Sequence, residues 1–364
     1  MKKGWIWMKK VMVYAYTQFN LGDDLFIKIL CERYPETQFV LYAPKQYKRC
    51  FQGMRNIRFF PSDALFVRGF NYIFKHLHIR KLLAKGCDAT VHIGGSLFIQ
   101  GEDWRKVFEN TKAMRIRGKP FFLLGANFGP FHDKQFYQEH KQIFSSYTDI
   151  CFREKYSYNL FKDLPNVRMA ADIVFQLKNP IIPKQENHIV ISVIKPSIRK
   201  HLATYDAIYY EKIKDIAVYF AERGYHVTLM AFCTYEEDDE AIDRILDRLP
   251  DDYSGKVTKH IYQLHIEETL QIIASASFVV ASRFHAMILG WVYGIPVFPI
   301  VYSDKMKHVM YDVGFHGSST DFEQLETFTA ADVFASMQTE PLNISRQIDD
   351  SEKHFAKLDL LLKG

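Results

Sequence analysis

Short apolar runs alternate with longer stretches of helical periodicity along most of the chain. In the first half, seven runs have the length of buried strands: 11–16, 38–42, 57–60, 89–93, 121–124, 150–152 and 167–170. The stretches between them, for example 24–33, 104–117, 134–145 and 155–164, repeat their apolar residues at helical spacing. This alternation is typical of parallel sheets whose strands are joined by crossover helices.

The pattern pauses over residues 177–187, where Pro180 and Pro183 stand among polar residues, and then restarts. The second set of strands is predicted at 188–194, 226–231, 256–261, 278–281 and 297–301, with helices at 205–223, 236–249, 266–274 and 286–293. We therefore predict an α/β fold of two Rossmann-like, doubly wound parallel-sheet domains facing a cleft, over residues 1–180 and 188–340. The remaining segment, 341–364, contains a helix at about 344–362 that is expected to pack back on the first domain.

Composition narrows the class of protein. A chain of 364 residues suits two domains, and 48% hydrophobic with 24% charged residues is typical of a soluble globular protein. The net charge of +5 reads as spread along the chain without a basic stripe, which argues against nucleic acid as a partner. The five cysteines have no metal-type spacing and indicate reduced thiols in a cytoplasmic protein.

No apolar run has the length of a bilayer span, and the residues after Met1 lack the features of a signal peptide. The protein is therefore expected in the cytoplasm. Met8 starts a second Met-Lys-Lys triplet, which makes it an alternative to Met1 as a start of translation.

Glycines and special polar residues follow the predicted strands of the first domain. The strand-end residues are Gly22, Asp23, Asp24, Gly94, Gly95, Asn127 and Arg153. Ligands of open parallel sheets bind beyond the carboxyl ends of the strands, so these residues predict one rim of a site. Two structural alternatives stay open: Asp23 and Asp24 cap the next helix, or Arg153 forms a surface ion pair with Glu154.

In the second domain the strand 278–281 ends in Ser282-Arg283-Phe284-His285, and the strand 297–301 ends in Tyr302 and Lys305. If these strands are neighbours, an Arg, a His and a Lys converge where a small polyanion can be held beside a proton-transfer group. Lys195 follows the strand 188–194 at the same predicted edge. The acidic run 236–240 is expected to be a solvated helix face.

In their order along the chain, these motifs resemble those of the polysaccharide pyruvyl transferase family. The resemblance covers about residues 20–314 and rests on these motifs: Gly22-Asp23-Asp24, Gly94-Gly95, the loop 125–130, Arg153-x-x-x-Ser157, Ala171-Asp172, Ser282-Arg283-x-His285, Gly294-x-Pro296 and Tyr302-x-x-Lys305. The chain departs from the family pattern at Ser96, where a third glycine is frequent, and at Lys195, where Arg is equally natural.

The resemblance implies a fold like that of GT-B glycosyltransferases and an enzyme that uses phosphoenolpyruvate. Such enzymes attach pyruvate as a cyclic ketal to two hydroxyls of a sugar in a cell-surface polysaccharide or its lipid-linked precursor. The implied catalytic residues are His285, Arg153 and Lys305. The expected donor-binding residues are Arg283, Ser282, Phe284, Lys195 and Tyr302, and the expected acceptor-binding residues are Gly22, Asp23, Asp24, Gly94, Gly95 and Asn127.

Phosphoenolpyruvate is the co-substrate in this interpretation, and no cofactor or metal is expected. A lipid-linked acceptor would bring the protein to the inner face of the membrane. Two other functions remain open at this stage. One is a sugar-nucleotide glycosyltransferase on the same fold, for which Asp304 is a candidate ribose ligand, and the other is a non-enzymatic glycan-binding subunit of polysaccharide assembly.

Overall fold

The structure is a computed structural model that describes residues 9–73, 79–178 and 182–363. Within these ranges the chain divides into two compact units. Unit 1 comprises Met1–Thr17, Asp23–Gln176 and Asp349–Gly364, and unit 2 comprises Gln18–Gly22 and Leu177–Ile348. Among the described residues, no helix combines the length and the apolar character needed to span a bilayer.

Unit 1 is built on a parallel sheet in which seven strands are described. The strands are β1 (Lys10–Tyr14), β2 (Gln38–Ala43), β3 (Ile57–Pro61), β4 (Ala89–Ile93), β5 (Phe121–Ala126), β6 (Asp149–Phe152) and β7 (Val167–Met169), in the spatial order β3-β2-β1-β4-β5-β6-β7. The central strand β1 pairs in parallel with β2 and β4, with Val11 opposite Phe39 and Ala89. This order reverses direction at β1, as in dinucleotide-binding folds.

The helices that begin in the first half of the chain connect these strands. They are α1 (Leu21–Arg33), α2 (Tyr47–Cys50), α3 (Leu65–Ile73), α4 (Ile79–Lys85), α5 (Trp104–Met114), α6 (Lys134–Phe144) and α7 (Lys155–Phe161), followed by a 3-10 helix at Ile173–Gln176. The sequence pattern did not predict α2, α3 or α4. Helix α1 begins at Leu21, three residues before its predicted start.

Unit 2 repeats the architecture with a parallel sheet of six described strands. They are β8 (His188–Val193), β9 (His226–Ala231), β10 (Val257–Ile261), β11 (Phe278–Ala281), β12 (Val297–Val301) and β13 (Thr320–Asp321), in the order β10-β9-β8-β11-β12-β13. Its α-helices are α8 (Asp206–Glu222), α9 (Asp238–Leu246), α10 (Ile266–Ser275), α11 (Phe284–Val292), α12 (Asp304–Val313) and α13 (Ala330–Ala335). Two parallel-sheet α/β units of Rossmann type confirm the predicted fold class.

Short 3-10 helices complete unit 2, at Pro196–Ile198, Lys200–Tyr205, Thr234–Glu236, Asp251–Tyr253, Phe322–Gln324 and Ser336–Gln338. The segment predicted as a helix over 344–362 is helical from Ser345 to Leu362, but a 3-10 turn interrupts it, giving α14 (Ser345–Ser351), a 3-10 helix (Glu352–Phe355) and α15 (Ala356–Leu362). Within unit 1, Arg168 bonds the carbonyl oxygen of His354 at 2.6 Å and Arg33 bonds Asp359 at 2.6 Å. The 3-10 helix between α14 and α15 presents the carbonyl oxygens of Lys353 and His354 to Arg168.

The core of unit 1 is rich in aromatic rings, and histidines are buried among them. The ring of His140 lies 4.3 Å from that of Phe136 and 4.9 Å from that of Phe108, and its Nδ1 bonds the Phe136 carbonyl oxygen at 2.7 Å. Burial lowers the pKa of His140 to about 4, that of His92 to about 3 and that of His354 to about 4. These histidines are therefore neutral in the folded protein at pH 7.

Because these histidines are buried in the neutral form, we expect the folded protein to lose stability as the pH drops below about 6.5. Their folded-state pKa values lie below the unfolded value, so only the unfolded chain takes up protons between pH 6.5 and 4, and protonation favours unfolding. From pH 7 to about 5.5 we expect the free energy of unfolding to drop by about 1 kcal/mol for each histidine. Urea denaturation at both pH values measures the drop. His140→Phe should reduce it by one histidine's share, and an unchanged stability would contradict the burial argument.

Candidate active site

Arg153 organises the strand ends of unit 1. It follows β6, and its side chain is only 2% exposed. Its Nη1 donates to Asp172 Oδ2 at 2.9 Å and its Nη2 donates to Asn127 Oδ1 at 2.8 Å. Asn127 follows β5 and Asp172 follows β7, so one guanidinium joins the carboxyl ends of three neighbouring strands.

The alternative in which Arg153 forms a surface ion pair with Glu154 is wrong. Both residues are buried, and Arg153 pairs with the buried carboxylate of Asp172 at 2.9 Å. Glu154 instead accepts a 2.5 Å hydrogen bond from Ser157 Oγ, which itself accepts from the backbone N–H of Phe128 at 2.7 Å. This chain of hydrogen bonds ties the start of α7 to the loop after β5.

Gly95 allows the guanidinium of Arg153 to reach its partners. A Cβ at this position would lie 2.6 Å from both Nη atoms of Arg153, a distance that real Cβ contacts do not show. The backbone N–H of Gly95 donates to Asp23 Oδ1 at 3.4 Å, and a Cβ at Gly94 would lie 3.3 Å from the same oxygen. Asp23, Gly94, Gly95, Asn127 and Arg153 therefore form one cluster.

The predicted Gly22-Asp23-Asp24 motif is divided by the structure. Asp23 belongs to the Arg153 cluster and is 9% exposed, whereas Asp24 is fully buried and presents no surface to a ligand. Gly22 belongs to unit 2. A Cβ at Gly22 would lie 1.7 Å from Nδ1 of His285, so the imidazole ring rests directly on this glycine's backbone.

The sequence predicts a second rim on the condition that the strands 278–281 and 297–301 are neighbours, and in unit 2 they are. Strands β11 and β12 are parallel neighbours, with Val279 opposite Val297. Nζ of Lys305 lies 5.3 Å from the centre of the Tyr302 ring and 5.7 Å from that of Phe284. The rings of Phe284 and His285 are 5.0 Å apart at 87°. Four of the predicted residues are thus brought together where the two strands end.

Arg283 is held inside this rim by carboxylates. Its Nε donates to Asp238 Oδ2 at 2.8 Å, its Nη2 pairs with the other oxygen of Asp238, and its Nη1 donates to Glu236 Oε2 at 2.7 Å. Burial alone would lower the pKa of Arg283, but the charges of Asp238 and Glu236 raise it well above its ordinary value. Asp238 also accepts the backbone N–H groups of Phe232 and Cys233, at 3.1 and 2.9 Å.

The expectation that residues 236–240 form a solvated helix face is wrong. Asp238 is fully buried, and Glu236 accepts from Arg199 at 2.5 Å in addition to Arg283. Burial alone would raise the pKa of Glu236, but the charges of Arg283 and Arg199 lower it to about 2. The run follows β9 at the carboxyl edge of the sheet, so the strand-end argument applied to the other motifs would have identified it.

Lys195 is paired with the same acidic run. Its Nζ donates to Glu237 at 2.5 Å and to Glu240 at 2.9 Å, and these hydrogen bonds raise its pKa. Glu237 has a φ of 57°, a left-handed conformation that is uncommon for a residue with a Cβ. The turn at Glu237 lies between Glu236, which binds Arg283, and helix α9, which contains Glu240.

Tyr302 is buried among cations. The guanidinium of Arg199, a residue that the sequence analysis missed, lies 4.5 Å from the centre of the Tyr302 ring. Burial alone would raise the pKa of Tyr302, but Lys305, Arg199 and Arg283 lower it below its ordinary value. The signal for Arg199 was its place in the loop after β8, shortly beyond Lys195.

The two rims differ in chemistry. The rim of unit 2 combines an imidazole, a phenol and cations, three of which are paired with carboxylates, and this set suits an anion and a proton transfer. The rim of unit 1 offers amide, carboxylate and backbone groups, which suit hydroxyls. Among the described residues, no group of three or more His, Cys, Asp or Glu side chains is placed to hold a metal ion.

Two Rossmann-type units with these sheet orders define a protein of the GT-B-like class. The chain belongs to the polysaccharide pyruvyl transferase family, whose pattern it matches over residues 20–304. It is also 23% identical to the amylovoran biosynthesis protein AmsJ of Erwinia amylovora over 286 residues, which is 71% of this chain and 68% of AmsJ.

Solved structures of low identity share the fold. MnaA of S. aureus with UDP has a TM-score of 0.59 at 10% identity, covering 98% of this chain and 97% of that one. A putative UDP-N-acetylglucosamine 2-epimerase from Listeria monocytogenes has a TM-score of 0.57 at 13% identity, covering 98% and 97%. Anabaena Alr3699/HepE with UDP and glucose has a TM-score of 0.54 at 12% identity, covering 98% and 100%. These likenesses bear on the fold alone.

Family membership supports a pyruvyltransferase role in polysaccharide biosynthesis and implies a glycan acceptor. The resemblance inferred from the motifs is thereby confirmed. The roles of the individual residues stay predictions.

Proposed function

We propose that this protein transfers pyruvate from phosphoenolpyruvate to two hydroxyls of one sugar, in a polysaccharide or its lipid-linked precursor, and forms a cyclic ketal. The family supports pyruvyl transfer. The observation that carries the proposal is that His285, Tyr302 and Lys305 follow the ends of two paired strands, with Lys305 beside the rings of Tyr302 and Phe284 and the Phe284 ring beside that of His285. Together they supply an anion-binding group and a proton-transfer group in one place.

The donor is assigned to the rim of unit 2. Phosphoenolpyruvate carries a phosphate and a carboxylate, for which Lys305 is the first cation. Lys195 and Arg199 become available where the donor replaces their glutamate partners. The first turn of α11 adds backbone N–H groups, which favour an anion. Phe284 and Tyr302 frame Lys305 with their rings.

Ser282 and Arg283 are reassigned from donor binding to positioning. Ser282 is fully buried, and its Oγ accepts from the hydroxyl of Tyr209 at 2.7 Å. The guanidinium of Arg283 is already occupied by Asp238 and Glu236. In this proposal the two residues fix the end of β11, so that His285 and Phe284 start α11 in the required orientation.

The chemistry begins with protonation of the methylene carbon of phosphoenolpyruvate, which makes the central carbon electrophilic. The first sugar hydroxyl forms a bond to that carbon and loses its proton. The bond to the phosphate oxygen breaks, phosphate leaves, and the second hydroxyl closes the ketal as it loses a proton. We assign to His285 the proton transfers, because an imidazole both donates and accepts protons near neutral pH.

The acceptor is assigned to the rim of unit 1. Asp23, Asn127 and the backbone of Gly94 and Gly95 offer hydrogen bonds to hydroxyls. The family resemblance assigns Arg153 to catalysis. Its side chain is 2% exposed and is held by Asp172 and Asn127, so in this proposal Arg153 acts by positioning Asn127. Asp24 is left out of direct contact because it is buried.

Incubation of the purified protein with phosphoenolpyruvate and candidate lipid-linked or aryl glycosides tests the proposal. Phosphate release that depends on the glycoside, with a new ketal methyl signal by NMR, is the expected result. We propose that no metal or further cofactor is needed, so a chelator should leave the rate unchanged. Binding of a sugar nucleotide with no response to phosphoenolpyruvate would favour a glycosyltransferase. Glycan binding without any turnover would favour a binding subunit.

Gly22→Ala should lower phosphate release at least about tenfold through displacement of His285, because a 1 Å misplacement in a site is enough for a large loss. Alanine is otherwise the better helix former at this position in α1, so local stability should not suffer. Gly53→Ala is the matched control, since its added Cβ would meet nothing within 4 Å. Equal rates for the two variants would contradict the contact between Gly22 and His285.

A further inference from the structure

Helix α3 of unit 1 presents large apolar side chains to solvent. Leu65 is 86% exposed, Phe66 61% and Tyr72 77%. Leu65, Arg68, Gly69 and Tyr72 recur at the spacing of one helix face, and the exposed Arg68 lies on that face between Leu65 and Tyr72. Val67 points the other way and is fully buried, so the helix is packed on the unit and its outward face is the apolar one.

Helix α4 continues this surface. It belongs to the same unit and contacts α3. Leu82 is 37% exposed, and Lys85, one helical turn further on, is exposed. Lys81, which lies on the same side of the helix, is partly exposed. Arg80 turns away, with its guanidinium 5.1 Å from the centre of the Tyr14 ring. The surface therefore combines apolar and cationic side chains.

The segment that contains both helices is basic. Residues 64–87 contain no Asp or Glu and five basic residues: Arg68, Lys75, Arg80, Lys81 and Lys85. The segment therefore carries a local charge of +5, and residues 37–62 form a second stretch with five basic residues and no acidic one.

We propose that the exposed faces of α3 and α4 form a docking surface for an anionic phospholipid bilayer. Leucine and phenylalanine enter the boundary of the acyl chains, tyrosine suits the headgroup level, and lysine and arginine meet the anionic headgroups. A second copy of the chain fits less well, because a symmetric contact would place two equally cationic segments against each other. The nine residues of α3 lie on the membrane and do not cross it.

Sedimentation with phosphatidylcholine vesicles, with and without phosphatidylglycerol, tests this surface. The wild-type protein should bind the anionic vesicles, and added salt should weaken the binding. The double change Leu65→Ser with Tyr72→Ser should weaken it at least about tenfold, because both apolar contacts are lost. The triple change Arg68→Gln, Lys81→Gln and Lys85→Gln should weaken it to a similar degree.

Matched controls exist elsewhere on the chain. Tyr311→Ser with Leu360→Ser removes two apolar side chains that are 81% and 72% exposed. Lys106→Gln, Lys162→Gln and Lys357→Gln remove the same charge from exposed positions. Both controls should bind vesicles like the wild-type protein. Equal loss in the controls, or no binding to anionic vesicles at all, would overturn the proposal.

Dimer formation that depends on Leu65 and Tyr72, without vesicle binding, would assign the surface to a second copy and would also overturn the proposal. The inference does not depend on the proposed reaction. The surface variants should release phosphate from phosphoenolpyruvate with a soluble aryl glycoside at the wild-type rate. Loss of vesicle binding and loss of catalysis are therefore measured separately.

Discussion

Replacing His285 with alanine is expected to reduce phosphate release from phosphoenolpyruvate by about 10²- to 10⁴-fold, the usual contribution of a general acid or base. The fold should be preserved, because the ring is partly exposed and lies on the backbone of Gly22 rather than in the core. Steady-state phosphate release with a saturating glycoside measures the loss. Circular dichroism and thermal unfolding check that the protein is intact.

His316→Ala is the matched control for this experiment, since His316 is an exposed histidine of the same unit. It should release phosphate at the wild-type rate. Near-normal turnover by the His285 variant would remove His285 from catalysis. In that case Tyr302, whose pKa is lowered by the cations around it, would be the next residue to test for proton transfer.

Arg283→Met is expected to lower the free energy of unfolding by about 3–5 kcal/mol. The change leaves the carboxylate of Asp238 fully buried without its bidentate partner, and it removes one of the two arginines that bind Glu236. An unpaired buried charge is far more costly than an absent ion pair. Urea denaturation of the two proteins side by side measures the effect.

Two further variants distinguish the stability lost by breaking the buried Arg283–Asp238 pair from the stability lost by removing any positive charge. Adding Asp238→Asn to Arg283→Met should recover part of the stability, because the uncompensated charge is gone. Lys259→Met breaks the exposed 2.7 Å pair with Asp243 and should change stability by less than about 1 kcal/mol. If the Lys259 and Arg283 variants lost equal stability, the buried network could not be what holds the end of β11.

Much of the fold was predictable because apolar runs mark buried parallel strands. The runs at 89–93 and 297–301 coincide with β4 and β12. Strand β13 was missed since its two residues, Thr320 and Asp321, are polar and have no periodicity. Helix α3 was missed because apolar residues lie on more than one side of it: Val67 is fully buried, whereas Leu65 and Tyr72 are exposed.

The rims were predictable to a smaller degree. The strand-end rule located Arg153, His285 and Lys305 without any knowledge of their contacts. It did not reveal that Arg283 pairs with Asp238, because that pair joins loops after β9 and β11, which are separated in the sheet by β8. It also grouped Gly22 with Asp23, whereas the chain passes from unit 2 to unit 1 between them. Sequence neighbours suggest shared function, but only the sheet order decides which side chains meet.

The carboxylates around Lys195 have a consequence for selectivity. Glu237 and Glu240 already bind this ammonium group, at 2.5 and 2.9 Å. An incoming anion has to displace these carboxylates from Lys195. The net binding energy is therefore the attraction between Lys195 and the anion minus the attraction between Lys195 and the two glutamates. A multiply charged ligand wins this exchange more readily than a monoanion does. Glu237 and Glu240 thus compete with any anion for Lys195, and weakly charged metabolites are expected to bind there poorly.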